Sequence, residues 1–288
     1  MSTASSVAVS GPVRVRRAAA TALKYLSLVI ASVVVLGPLT VILLTSLKTD
    51  REAQDGGALS PPGDWLNLGN YVTAFRDADM LGAFANTAFI LVFAIGGTVL
   101  IGSMTAYAID RFAFRLKKTV LGLFLVAALV PGVTTQVATF QVVNSFGLVD
   151  SFWAPVLLYT GTDIVAVVIF LQFIRGIPVS LDEAARIDGA NAFTVYRKVI
   201  LPLLRPAIAT VVIIKGVTVY NDFYIPFLYL QSDDKGVIST ALFRFKGPYG
   251  AHWEVISAGV VLVIVPTLVV FLFLQRYIYN GFTRGAVK

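Results

Sequence analysis

The chain has no cysteine and a single histidine among its 288 residues. No disulfide, thiolate metal site or thiol nucleophile is available, and one histidine cannot build a His-based metal cluster. No G-x-x-x-x-G-K-[ST] run occurs, so there is no P-loop cradle for nucleotide phosphates. The isolated serines have no partnered histidine from which a hydrolytic triad could form. Charge is scarce as well. Only 14% of residues are Asp, Glu, Lys or Arg, against about 25% in soluble domains. What is abundant is apolar: 57% of the residues are hydrophobic. In a soluble protein the net charge of +7 would suggest a nucleic-acid partner. Here no nucleic acid is expected, because the charges follow the two sides of a membrane.

A crossing needs about 20 apolar residues. Six stretches meet that need: Tyr25 to Leu47, Met80 to Ile109, Thr119 to Val149, Ser151 to Ile174, Pro206 to Gln231 and Val255 to Gln275. The third exceeds one crossing, so part of it is expected outside the hydrocarbon. The first run is too long for a signal-peptide core and is expected to stay as a span. Six crossings put both ends on one side. That side carries Arg14, Arg16, Arg17 and Lys24; Arg111, Arg115, Lys117 and Lys118; Arg175, Arg186, Arg197, Lys198 and Arg205; and Arg276, Arg284 and Lys288. The other side has only Lys48, Arg51, Arg76, Lys235, Arg244 and Lys246. The positive-inside rule makes the richer side cytoplasmic. Residues 1–22 read as a disordered cytoplasmic tail, 23–276 as an all-α, six-span transmembrane domain surrounded by membrane lipid, and 277–288 as a cytoplasmic tail. Residues 48–79 read as an outer loop with one short element, and residues 231–254 as a second outer segment. His252 is expected at the outer edge.

The cytoplasmic segment LDEAARIDGANAFTVYRKVILPLL, Leu181 to Leu204, is charged, Ala-rich and marked by Gly189 and Pro202. Ser180 and Glu183 form an S-x-x-E capping box, with acids at the positive end of a first helical turn. Gly189 permits a turn or a close approach. Asn191 suits the cap of a second short helix, and Pro202 a helix start or kink. Ala184, Ala185 and Ala190 form a small-residue surface, Phe193 and Tyr196 large contacts, and Arg186 and Asp188 a polar rim. From the residues alone, an interfacial linker and a docking surface for a soluble partner both stand.

The spacing Glu183-Ala184-Ala185, Gly189, Val199, Leu201-Pro202 resembles the EAA loop of ABC-importer membrane subunits. More of the chain resembles the MalG-type carbohydrate importer permeases: Asn86-Thr87, Ala106-Tyr107-Ala108 with Arg111-Phe112, Asn221-Asp222-Phe223 with Pro226, and the ending Gly285-Ala286-Val287-Lys288. Ile109-Asp110, Tyr220 in place of Trp and Val199 in place of Ile depart from the commonest form. The resemblance implies a type I ABC importer permease fold. It implies ATPase coupling through Glu183, Ala184, Ala185, Asp188, Gly189, Phe193, Leu201 and Pro202, and a C-terminal tail reaching toward the ATPases. The implied partners are a second homologous permease, two ATPase subunits and an extracytoplasmic solute-binding protein, in a bacterial cytoplasmic membrane. This chain would bind no cofactor; ATP and Mg would sit on the ATPase subunits. It would not be an enzyme.

Charge inside a span costs roughly 2.5 to 3.5 kcal/mol, so Asp163 and Lys215 are expected to avoid lipid. They either pair, snorkel or meet a neighbouring subunit, or they line the solute path. The candidates for that path are Gln136, Gln141, Asn144, Tyr159, Asp163, Tyr220, Asn221, Asp222 and Tyr224, since amides, acids and aromatic faces suit a sugar. A sugar phosphate, a polyol or a non-sugar solute stays open, as does a gradient-driven secondary transporter relaying ions through Asp163 and Lys215. Gly96, Gly97 and Gly102 read as helix-packing glycines.

Overall fold

The computed structural model describes residues 11–161, 163–247 and 250–286. Among these residues the protein is all-α, and extended backbone pairs only at an isolated bridge between Lys246 and Ala251.

Helix α1 runs Gly11–Ser46. Pro12 falls in its first turn, where a missing N–H costs nothing, and the Arg, Ala and Leu that follow are strong helix formers. The disordered tail expected over 1–22 is therefore corrected from Gly11 onward; residues 1–10 lie outside the described residues. Much of the α1 surface is exposed apolar side chain, Val33 to Val35 included.

The first outer segment holds two helices rather than one, α2 (Asp50–Asp55) and α3 (Gly69–Asp77). A capping box starts α2: Thr49 N donates to Glu52 Oε2 at 2.8 Å, and Glu52 N returns to Thr49 Oγ1. Asn70 ties α3 to the end of α1 through the carbonyls of Ser46 and Lys48, at 2.9 and 2.8 Å.

Helix α4 (Met80–Arg111) is the long second span. The expected third span is two pieces, α5 (Lys117–Leu129) and α6 (Gln136–Ser145), separated around Pro131 and Gly132. The fourth is also interrupted, as α7 (Trp153–Gly161) and α8 (Ile164–Arg175) bend by 46°. The Leu181–Leu204 segment follows as α9 (Ser180–Ile187), α10 (Ala192–Val195), a π-turn over Tyr196–Ile200 and α11 (Leu201–Leu203). A 74° bend leads into α12 (Arg205–Asn221). The second outer segment contains α13 (Tyr224–Tyr229), α14 (Ile238–Ala241) and two 3₁₀ turns, Asp233–Lys235 and Leu242–Phe245. Helix α15 runs Trp253–Ala286 without a break at residue 277, so no separate tail begins there.

Among the described residues, two helices are by length and composition able to cross a membrane, or up to four if each bent pair is one crossing. The expected six apolar stretches thus do not appear as six long helices, because Pro131, Gly161 and the Asp222 turn interrupt them.

The main core joins α4, α8, the loop and α12. Ala106, Tyr107 and Ile109 pack with Phe170, Leu171 and Ile174, and with Val195, Tyr196, Ile200, Leu204 and Val211. The apolar cluster with the most buried residues among those described therefore backs the loop directly. Helix α4 approaches its neighbours through glycine. A Cβ on Gly97 would lie 2.6 Å from Thr160 Cγ2, and one on Gly102 would lie 3.4 Å from the Phe170 ring. Gly96 has nothing within 4 Å, so its reading as a packing glycine is corrected.

Gly97→Val is expected to wedge α4 from α7 and destabilise by about 1–3 kcal/mol. Gly96→Ala should be neutral or mildly stabilising, since only helix propensity changes. Thermal unfolding of the purified variants in detergent separates the two.

Candidate functional site

The loop begins at Pro178. Val179 O accepts from Asp182 N at 2.9 Å and from Glu183 N at 3.1 Å. The expected Ser180/Glu183 capping box does not form, because the Glu183 N–H that Ser180 would satisfy is already taken. Glu183 is left exposed at the surface. Helix α9 closes in a Schellman motif: Gly189 N donates to Arg186 O and Ala190 N to Ala185 O, both at 3.0 Å, with Gly189 at φ +85°. Asn191 then caps α10, accepting from Thr194 N at 2.8 Å.

The two faces of the loop differ. Glu183, Ala184, Ile187, Asp188 and Phe193 are exposed, Ile187 by 86%. Pro202 is exposed, and Leu201 is half-buried. Ala185 and Ala190 pack inward on the core, and only Ala184 of the three alanines is free for a partner. Tyr196 is also corrected from contact residue to core residue. It is buried, its Oη lies 2.8 Å from Ser103 Oγ, and its ring stands 5.6 Å from that of Tyr107.

Asp182, one residue before Glu183, lies about 100° around the helix from it and faces inward. Its Oδ2 lies 2.6 Å from Arg111 Nε, with side chains 3% and 5% exposed. The contact is an ion pair without an aligned hydrogen bond on Nε or on either carboxylate oxygen. Arg111 also donates through Nη2 to Ile177 O at 2.7 Å and Ile174 O at 3.4 Å, and through Nη1 to Asp110 Oδ2 at 2.7 Å. One guanidinium thus joins the ends of α4 and α8 to α9. Charge counting along the sequence placed Arg111 on the cytoplasmic side but did not pair it. The available signal was the position of Asp182, three residues before the inward Ala185 on a short helix.

A second polar cluster lies where two helices break. Lys215 Nζ is 2.8 Å from Asp163 Oδ2, with side chains 12% and 17% exposed. Asp163 also caps α8, accepting from Ala166 N at 2.9 Å. Lys215 stands 5.7 Å from the centroid of the Tyr159 ring. Tyr159 Oη donates to Asp222 Oδ2 at 2.8 Å, and Asp222 Oδ1 accepts from Tyr224 N at 2.8 Å. Of the path candidates, the structure brings together Tyr159, Asp163 and Asp222. Tyr224 is exposed beside them, and Tyr220 is held by Thr267 Oγ1 at 3.0 Å. Asn221 bonds back to Val217 O within its own helix. Gln136 is buried elsewhere, donating to Tyr229 Oη at 2.8 Å. Gln141 and Asn144 are exposed on α6, and among the described residues their side chains join no part of this cluster. An open groove of about 460 Å³ beside α4, lined by Leu91, Ile95, Val99, Leu201 and Val212, is apolar and offers a sugar little to bond.

Asp150 organises the start of the 231–254 segment. Its Oδ1 accepts from Gln231 N and Ser232 N at 3.0 Å, and its Oδ2 meets Lys235 Nζ at 2.8 Å. The Lys235 ammonium, then the Ser232 and Gln231 donors, hold this carboxyl well below its ordinary value. His252 Nδ1 lies 3.3 Å from Glu254 Oε1 and 3.9 Å from Asp50 Oδ1. These three are the described residues whose geometry could hold a metal ion, although exposed acids commonly cluster without one. Gly285 and Ala286 end α15, while Val287 and Lys288 lie outside the described residues.

Residues 98–284, from the middle of α4 to the last turns of α15, match the family described as the binding-protein-dependent transport system inner membrane component. The chain belongs to this family. It is therefore a membrane transport subunit of an ABC importer and not an enzyme. Relatives of this permease include the arabinooligosaccharides transport system permease protein AraQ of Halalkalibacterium halodurans. That protein is 31% identical over 87% of this chain and 90% of its own length. The probable starch degradation products permease AmyC of Thermoanaerobacterium thermosulfurigenes is 32% identical over 90% and 94%. The melibiose/raffinose/stachyose import permease MelC of Bacillus subtilis is 30% identical over 87% and 91%. In fold, the permease is similar to a chain from the crystal structure of a bacterial ABC transporter that imports the acidic polysaccharide alginate. The TM-score is 0.78 at 20% identity, covering 94% of this chain and 99% of that one.

Removing one partner of a buried ion pair costs about 3–5 kcal/mol, whereas removing both costs less. Lys215→Met should therefore destabilise the permease more than the Lys215→Met/Asp163→Asn double variant, and a double-mutant cycle of thermal unfolding reads the difference. Asp150 supplies a pH dependence. Its carboxyl is depressed in the folded state, so its contribution is present above the ordinary value of 3.8 and is lost as pH falls through the lower folded value. Hydrogen exchange of residues 231–235 should stay slow at neutral pH and accelerate in strong acid. Asp150→Asn should make it fast throughout.

Proposed function

We propose that this chain is one of two homologous permeases in an ATP-driven importer of carbohydrate. It lies in the bacterial cytoplasmic membrane with six crossings and both termini in the cytoplasm. Two ATPase subunits dock on the loop and hold ATP and Mg; an extracytoplasmic solute-binding protein delivers the sugar to the outer segments. The reading of the solute as carbohydrate is supported by relatives named for arabinooligosaccharides, starch degradation products and melibiose, raffinose and stachyose.

The observation that carries the coupling role is the two-faced loop. Its outward side offers Glu183, Asp188, Ile187 and Phe193 to a partner, and its inward side is fixed to the core. An exposed Ile and Phe beside acids is an anchor pattern for a protein interface with a polar rim. Closure of the ATPases on ATP draws the loops of the two permeases together and opens the path outward. Hydrolysis returns it inward. Tyr159, Asp163, Asp222 and Tyr224 would meet the solute near the helix breaks, where hydroxyls can exchange hydrogen bonds with them. Leu201 and Pro202 would pass the loop's displacement into α12, and the C-terminal Gly285, Ala286, Val287 and Lys288 would approach the ATPase pair.

The complete complex in vesicles should accumulate an oligosaccharide from a panel only with ATP inside and binding protein outside. Uptake driven by an ion gradient without ATP would overturn this reading. Gly189→Val forces a β-branched residue to positive φ, a cost of roughly 1–2 kcal/mol, and should reduce uptake. If it inserts, assembles with the ATPases and transports at the original rate, the coupling role is wrong.

A further inference from the structure

We propose that α4, rather than the spans joined to the loop through the backbone, is the abutment to which the loop is clamped and through which its displacement enters the spans. Arg111 is the residue that positions the loop on it. This rests on the coupling role proposed for the loop.

Ser103, Tyr107 and Arg111 are spaced at i, i+4 and i+8, so they form one stripe on α4. Each grips the loop. Ser103 Oγ meets Tyr196 Oη at 2.8 Å, the Tyr107 ring stands 5.6 Å from the Tyr196 ring, and Arg111 Nε meets Asp182 Oδ2 at 2.6 Å. The stripe spans about 12 Å along the helix. By contrast, the backbone joins α9 to its neighbours through two short connections. One is the short Gly176–Val179 connection from α8, and the other is the elbow at Gly189. Turning α9 away from α4 would separate two opposite charges whose side chains are 5% and 3% exposed, which leaves the Asp182 carboxylate buried without its cation. Displacement applied at Glu183 on one side of α9 is thereby passed through Asp182 on the other side to α4. Since Arg111 also holds the Ile174 and Ile177 carbonyls, the end of α8 moves with it.

The native chain lacks cysteine, so two spin labels can be placed alone, at Ala108→Cys on α4 and Ser180→Cys on α9, both exposed sites. The protein is studied in the complete reconstituted importer. The label distance is expected to be the same without nucleotide and with ATP. In Arg111→Gln it should broaden and differ between the two states, and sugar taken up per ATP hydrolysed should fall about tenfold while hydrolysis persists. Arg111→Lys, a point charge that cannot bridge carboxylate and carbonyls together, should fall between. Adding Asp182→Asn to Arg111→Gln should recover part of the loss, and that pair and Arg111→Lys carry the test if Arg111→Gln does not assemble.

A distance that shifts with ATP in the unaltered chain as much as in the Arg111 variants would overturn the proposal. So would unchanged uptake per ATP in all three. Phe193→Ala separates the two levels. If it and Glu183→Ala leave ATPase association intact, the docking role fails. If they weaken association and the labels still move apart in the unaltered chain, only the abutment fails.

Discussion

A guanidinium buried at the end of a membrane helix has to find acceptors inside the protein. Arg111 finds partners on three sides at once: its neighbour Asp110, the carbonyls of Ile174 and Ile177 at and just past the end of α8, and the opposite charge of Asp182 on α9. The α4–α8–loop core forms around this point, with Tyr107, Ile109, Ile174 and Tyr196 packed beside it. The pairing fixes which side of α9 faces inward. It thereby also fixes which residues remain for a partner, since adjacent positions on a helix point about 100° apart.

The same constraint operates deeper in the membrane. Broken helices leave backbone groups that lipid cannot satisfy. Asp163 caps the second half of the broken fourth span, and Asp222 receives the Tyr224 N–H where α12 ends. Lys215 and Tyr159 complete the charge and hydrogen bonding of these two acids. The polar residues of this region therefore serve the breaks themselves. A solute entering there would exchange hydrogen bonds with groups that already have partners.

Much of this was legible before any coordinates. Charge-free runs give the all-α membrane class and the long helices α1 and α4, though not six unbroken crossings, and Gly189 and Asn191 give the two-helix loop, whose signals act within a turn of the chain. Pairings over long separations were not legible. Lys215 and Asp163 were marked as costly, with pairing one option among several. Arg111 and Asp182, 71 positions apart by their numbers, looked like an ordinary surface cation and an ordinary first-turn acid. Local motifs also misled in both directions. Thr49-x-x-Glu52 makes a capping box that was not anticipated, while Ser180-x-x-Glu183 does not make the one that was. The difference lies in where the helix starts: at Thr49 the cap position is the hydroxyl residue, whereas Val179 occupies it ahead of Ser180.

At Gly189 the backbone adopts a positive φ, yet nothing lies within 4 Å of the missing Cβ. The requirement there is one of handedness and not of room. A mirror-image alanine would fit where the natural one is strained, and glycine is the only genetically encoded residue without handedness. The elbow of the loop is thus held by stereochemistry together with the two backbone bonds of its Schellman motif. The side chains around it can drift with the surface of whatever partner they meet, while the angle between the two short helices stays the same.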